Sequence, residues 1–293
     1  MIYDLALTIA YDYGRPSAQA RNVLRVLPAN RPGEQRRITG MIGITPRPAE
    51  RTDRMDFFGN AVSEIAFHAP ISDLTVRLQS RVERLARPLQ FDLSPPLDRL
   101  GAQLLGQPAL SADSPHHFLA SSPRIRFDTE VTDFVRRVLP AQPTALAAVQ
   151  AVGRALHEEM RFDAEATDVD TPLSEAFANR HGVCQDFSHV MIAGLRSIGL
   201  PAGYVSGILR TQPPDGQARL EGADAMHAWV RVWCGTDLGW VEYDPTNDLM
   251  AGSDHVSVAV GRDYSDVAPV KGAVRSSGQQ QSTHSVDLVP VPV

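Results

Sequence analysis

The sequence predicts an α+β chain, an antiparallel β-sandwich followed by a domain in which helices precede strands. Three observations carry this. Residues 3 to 13 alternate, with Tyr3, Leu5, Leu7, Ile9, Tyr11 and Tyr13 on one face, the period of a half-buried strand. Beyond about residue 120 the apolar period lengthens to that of a helix. After the helices, AGYVSGIL, HAWVRVWC and GWVEYDP read as strands, an order that fits α+β rather than a βαβ repeat.

In order along the chain, NVLRVLP, RRITGMIGITP, NAVSEIAFHAP and DLTVRLQSRVERL repeat the strand pattern, each bounded by Pro, Gly, Asn or Asp. Leu74, Val76, Leu78 and Val82 form the clearest stripe. The sandwich is expected over residues 1–87 and a Pro- and Ser-rich connector over 88–119, with a short amphipathic helix on Leu97, Leu100 and Leu104. The second domain spans 120–270. Val131, Phe134, Val135 and Val138 follow the N-cap candidate Asp128, a second helix runs from Thr144 to about Met160, and a third starts at Ser174 after Pro172. Residues 271–293 read as a polar tail closing on a further strand.

With 293 residues, 43% hydrophobic and 21% charged, the chain has an ordinary globular composition and the length of two domains. A net charge of −6 provides no field for phosphate backbones or anionic lipid, so neither nucleic acid nor membrane is expected as a partner. Asp4 and Asp12 interrupt the N-terminus, which lacks the basic and apolar regions of a signal peptide. Two cysteines fifty positions apart form no disulfide framework and no paired zinc motif. A reducing, cytoplasmic setting is the expectation, with no cofactor and no metal.

One of those cysteines carries the functional argument. In HGVCQDFSHVMIAGLRSIGLPAGYVSG, the face Phe187, Val190, Met191, Gly194 and Ile198 starts just after Cys184, and Gly199 with Pro201 stops the helix. Cys184 therefore sits at a helix N-terminus, where unpaired N–H groups and the helix dipole favour a thiolate and its own N–H can face a developing oxyanion. A thiolate nucleophile in acyl transfer also needs an imidazole, and the imidazole needs an orienting group. His227 opens one strand and Asp244 ends the next, with Gly235 to Gly239 as the turn between them. The arms are unequal, so a bulge or an offset must bring the two side chains together.

GVCQDFSHVMIAGLRSIGLPAGYVSG, HAWVRVW and GWVEYDPTN, in that order, resemble the core of the bacterial transglutaminase-like superfamily of cysteine enzymes over roughly residues 120 to 260. Residues 1 to 87, with Tyr11, Tyr13 and the DFFGN stretch, resemble the N-terminal domain often joined to that core. The resemblance implies a papain-like fold, a triad of Cys184, His227 and Asp244, a thioester intermediate, and a protein or peptide substrate. It leaves open whether water or an amine resolves the thioester; hydrolysis of a peptide or isopeptide bond is the expectation, and a protein-glutamine transglutaminase the alternative. It also assigns no side-chain half of an oxyanion hole, since Gln185 follows the nucleophile. A non-catalytic binding protein on the same fold is the rival from another class.

The remaining candidates receive lesser roles. Asp186 caps the cysteine helix and supports it structurally. Trp229 shares the His227 face by alternation and either walls a substrate cleft or packs. His189 lies about 140° around the helix from Cys184, away from the site. Cys234 alternates with Val230 and Val232 and reads as core. His181, Cys184 and His227 lack the second clustered pair of a zinc site. Asp224 is a poorer orienter of His227 than Asp244. The loop from Thr211 to Ala225, polar and marked by Gly and Pro, is expected to act as a lid.

Overall fold

A computed structural model describes residues 1–17, 20–85, 91–211, 224–274 and 281–292 of the chain. The expected lid and the Ser/Gln stretch of the tail lie mostly outside the described residues. Six strands open the fold: β1 (Ile2–Ser17), β2 (Ala20–Leu24), β3 (Gln35–Thr45), β4 (Glu50–Met55), β5 (Ala61–Phe67) and β6 (Ile71–Arg84). Tyr3, Leu5, Leu7 and Ile9 of β1 and Leu74, Val76, Leu78 and Val82 of β6 are all buried, as the alternation requires. β4 has no such signal. All six of its residues are exposed, so it presents no apolar period, and it is held on β5 by backbone pairing and by the Arg54–Glu64 ion pair.

Helix α1 (Leu97–Leu105) buries Leu100 and Leu104. Next come α2 (Thr129–Val138), capped by the Asp128 carboxylate, and α3 (Ala145–Glu159), capped by the Thr144 hydroxyl. The short strands β7 (Arg161–Phe162) and β8 (His181–Gly182) pair around α4 (Leu173–Asn179). The cysteine helix is α5 (Cys184–Ser197). A five-stranded antiparallel sheet follows, in the order β12-β11-β10-β9-β13, from β9 (Ala202–Leu209), β10 (Ala225–Trp233), β11 (Trp240–Asp244), β12 (Leu249–Met250) and β13 (His255–Gly261). The chain ends with α6 (Tyr264–Val267), β14 (Val270–Val274) and β15 (Gln281–Pro290).

Those last two strands correct the expected boundaries. β14 pairs with β2 and β15 pairs with β1, so the two sandwich sheets are β14-β2-β5-β4 and β15-β1-β6-β3. The sandwich is thus completed by the segment read as a tail. The physical reason is the ladder itself: β1 would otherwise expose a long row of unpaired backbone groups along one edge.

One face of the five-stranded sheet, carrying Ala228, Val230 and Val232, packs on α5, which α2, α3 and α4 surround. The other face meets the sandwich. Gln35 donates its amide to the Ser257 carbonyl and accepts from the Ser257 N–H, while Asn60 makes the same exchange with Val260. α5 is buried along almost its full length, so it fixes its N-terminal residue against a rigid frame.

Gly153 shows how closely these layers approach. A Cβ there would lie 2.0 Å from Cε1 of Tyr243, the residue before Asp244. This accounts for a glycine inside a helix, where it costs about 1 kcal/mol relative to alanine. Gly153→Ala should therefore lower stability by about 1–3 kcal/mol, the usual range for overpacking, despite the gain in helix propensity. Urea unfolding followed by circular dichroism measures it, and an unchanged or raised midpoint would show that Tyr243 gives way.

Candidate active site

The sequence around Cys184 folds as it does because of two neighbours. Asp186 turns back to accept the N–H of Val183, the residue just ahead of the helix, at 2.8 Å. It also accepts the hydroxyl of Thr167 at 2.6 Å. Gly182 makes room for this: a Cβ there would stand 2.6 Å from the Asp186 Oδ2. Burial, the largest influence, raises the Asp186 carboxyl above its ordinary range against those hydrogen bonds. Asp186 thus closes the first turn of α5 and leaves Cys184 at its N-terminus.

His227 stands near the start of β10, and Asp244 ends β11. The register pairs Val230 with Tyr243 and Trp233 with Trp240. Continued by one residue, it sets Asp244 opposite Trp229, two positions from His227 and on the same face. An offset, with no bulge between Val230 and Trp233, therefore joins them. The turn uses Gly235 and Gly239, both at positive φ.

The His227 Nε2 lies 2.7 Å from Asp244 Oδ2, and the Cys184 side chain stands near enough to the same imidazole to favour its charged form. Cys184 is partly exposed, while the His227 and Asp244 side chains are 7% and 0% exposed. Burial disfavours a charged imidazole, but Asp244 and Cys184 together outweigh it and push His227 up to about 10. Asp244 moves the other way: burial would raise it, yet His227, His255 and Asn247 hold it far below the usual carboxylate range.

His255 was not singled out in the sequence. Its Nδ1 accepts the Gly252 N–H at 3.3 Å, which leaves the proton on Nε2, and Nε2 donates to Asp244 Oδ2 at 3.1 Å. Asn247 donates its amide to the same oxygen at 2.7 Å, and the N–H groups of Thr246 and Asn247 donate to Oδ1. The backbone donors belong to the turn that directly follows Asp244 in the sequence. Nothing in the local pattern signalled His255, which arrives from β13 on the far side of the sheet.

His227, Asp244 and His255 also form the one described cluster with donor atoms close enough for a metal ion. The hydrogen bonds argue for a proton network instead. The tautomer of His255 aims a proton, not a lone pair, at the shared carboxylate, and that carboxylate oxygen already accepts three bonds. His181, Cys184 and His227 form no such cluster.

Trp229 requires a correction. It is 0% exposed, its indole N–H donates to Glu242 at 3.1 Å, and its ring packs edge-on against His255 at 5.1 Å and lies 6.1 Å from that of His227. A side chain fully enclosed beneath the histidines cannot wall a cleft, so Trp229 packs the site from below. Asp224 does not meet His227; it accepts the N–H groups of Thr211 and Leu288, tying the start of β10 to β15. His189 accepts the Tyr264 N–H, and burial pulls it down to about 4. Gln185 donates its amide to the Val169 carbonyl, and Cys234 is buried in the core.

The sequence pattern of the transglutaminase-like superfamily matches residues 132–245, and that of the bacterial transglutaminase-like N-terminal region matches residues 3–83. An uncharacterized protein of Mycobacterium tuberculosis is 33% identical over 301 residues, covering 98% of this chain and 90% of that one. An uncharacterized protein of Mycobacterium leprae is 32% identical over 92% of this chain and 91% of its own. Among solved structures, a protein of Cytophaga hutchinsonii provisionally described as a cysteine protease aligns with a TM-score of 0.76 at 19% identity, over 100% of this chain and 91% of that one. That likeness shows the fold, a papain-like α+β core behind an N-terminal pair of antiparallel sheets.

If Asp244 is what holds the His227 proton, Asp244→Asn should move the His227 titration down from about 10 by more than one pH unit. NMR of the imidazole Cε1–H measures this directly. His255→Gln, which removes one donor from Asp244 and leaves the carboxylate, should move it less. A His227 titration unchanged in Asp244→Asn would show that the carboxylate is not the holding group.

Proposed function

Because this chain belongs to the transglutaminase-like superfamily, with the bacterial N-terminal region joined to its core, we propose that it is a cysteine-dependent hydrolase of peptide or isopeptide bonds in a protein or peptide substrate. The observation that carries the reading is the His227 imidazole held between Cys184, at the N-terminus of α5, and the buried Asp244. Nothing in the reaction as written requires a cofactor.

In this reading the Cys184 Sγ attacks the amide carbonyl, and the carbonyl electron pair moves onto oxygen. The Cys184 N–H, at the first turn of α5, stabilises that oxyanion. On collapse the C–N bond breaks, and His227 Nδ1 gives its proton to the leaving amine, producing a thioester and a neutral imidazole. Water then adds to the thioester while His227 Nδ1 takes its proton, and the acid leaves as Sγ recovers its electron pair. Throughout, the Nε2–H of His227 remains on Asp244, which fixes the ring and favours its charged form. Water is the acceptor we favour; an amine in its place would make the same machinery a protein cross-linker. A reducing compartment, the cytoplasm, would keep the thiol available.

The sign of the pH dependence follows from His227. Its imidazolium is fully present below its ordinary value near 6.5 and is lost only as pH rises through about 10. Iodoacetamide should therefore alkylate Cys184 rapidly at pH 6 in the native protein, read by intact mass. In His227→Ala the rate at that pH should fall by about tenfold or more. Buried Cys234, with its thiol pushed up by that burial, should stay unlabelled. Equal slow labelling in both proteins would defeat the ion-pair reading and favour a non-catalytic binding protein.

The choice of acceptor is tested by incubating a glutamine- and lysine-containing protein substrate with a tagged primary amine. Cleavage without tag uptake is expected. Tag incorporation that depends on Cys184 would reassign the enzyme to amine transfer.

A further inference from the structure

A second feature of the molecule lies between the sandwich and the catalytic sheet, where three arginines from distant parts of the chain converge. Arg31 follows β2, Arg84 ends β6, and Arg231 lies in β10. Arg31 and Arg84 both donate to Glu242, one to each carboxylate oxygen, and Trp229 donates to the second oxygen. Arg31 also pairs with Glu34 at 2.9 Å. Among the described residues, the acid paired with Arg231 is Asp113, at 3.2 Å, and that side chain is 77% exposed. Within this cluster the only acid that is itself buried is Glu242.

These groups border a cavity of about 1160 Å³ lined by residues of the sandwich, the connector and the catalytic sheet. Such a volume is somewhat above that of most small-molecule sites, which run to roughly 1,000 Å³. Two of the arginines that line it retain a buried nitrogen with no hydrogen-bond partner among the described residues: Arg84 Nη1 and Arg231 Nε. Both residues are more than nine-tenths buried, at 5% and 4% exposure. The Arg231 guanidinium also lies over the Trp240 ring, 4.1 Å from its centroid, which holds the planar group in one orientation.

We propose that this cavity is a second binding site, distinct from the Cys184 site, for a small molecule bearing a carboxylate or phosphate group. A guanidinium presents its donors in a fixed fork suited to the oxygens of either group. An oxyanion in the cavity would meet the guanidinium groups that line it and supply the countercharge that solvent-facing Asp113 supplies poorly. Burial lowers Arg231 to about 10, with the neighbouring Arg31 next in effect, in keeping with a cation that lacks full compensation. Glu242, where burial is opposed and outweighed by Arg31 and Arg84, is held down at about 2 and remains charged; it is the anchor of the cluster and is not available to a further cation. Glu242 lies two residues before Asp244 on β11 and accepts from Trp229, whose ring packs on His255, so the two sites share a wall.

Isothermal titration of the full chain at pH 7, in dilute buffer free of phosphate, tests the proposal with inorganic phosphate and succinate as separate probes and chloride at matched ionic strength as control. Saturable binding of at least one probe is expected; phosphate alone or succinate alone would assign the group. Arg231→Lys keeps the charge and removes Nε, and Arg84→Lys keeps a cation near Glu242. Each should weaken binding at least tenfold while circular dichroism shows the native fold. Cys184→Ala should bind as the wild type does, which separates this site from the catalytic reading. No saturable binding beyond chloride, unchanged affinity in both lysine variants, or loss of binding in Cys184→Ala would overturn it.

Discussion

The Asp244 carboxylate, with no exposed surface, is the constraint around which the site is built. An isolated charge in that position would be strongly unfavourable unless paired and hydrogen-bonded. Here both oxygens are occupied: two imidazoles and an amide on one, and two backbone N–H groups on the other. The same bonds that make the burial tolerable fix the His227 ring and its proton. Stability and chemistry at this position therefore share one set of contacts.

The elements that deliver those partners come from separate parts of the chain. α5 brings Cys184, β10 brings His227, β11 and its following turn bring Asp244 and Asn247, and β13 brings His255. The register of β10 against β11 turns a mismatch in hairpin arms into a diagonal contact between His227 and Asp244. Beneath them, Trp229 fills the space over Gly207, where a Cβ would lie 2.3 Å from its ring, and carries the contact on to Glu242. Packing at that level transmits constraint because interiors are close to crystal density and give little.

The sandwich is more than an appendage. Its arginines neutralise Glu242, and Gln35 and Asn60 satisfy backbone groups on β13. The chain also returns to it, since β14 and β15 complete both of its sheets. With β1 and β15 paired in the sandwich and β9 to β13 forming the five-stranded sheet, one continuous core runs across the two parts.

What the sequence by itself determined is local. Alternation marked β1 and β6, the 3.6 period with Asp128 and Thr144 marked α2 and α3, and the apolar face after Cys184 with its glycine stop marked α5, because each is a pattern of burial along one element. The ordered cysteine, histidine and aspartate blocks pointed to the candidate triad for the same reason: each lies at a recognisable element end. β4 escaped notice because an edge strand exposed on every residue has no period. The burial of Trp229, the approach of His255, the closing of the sandwich by β14 and β15, and the meeting of three arginines at Glu242 were decided only by tertiary structure. These are contacts between residues up to hundreds of positions apart, set by strand register and layer packing, and no local pattern records which distant side chain a buried group will meet.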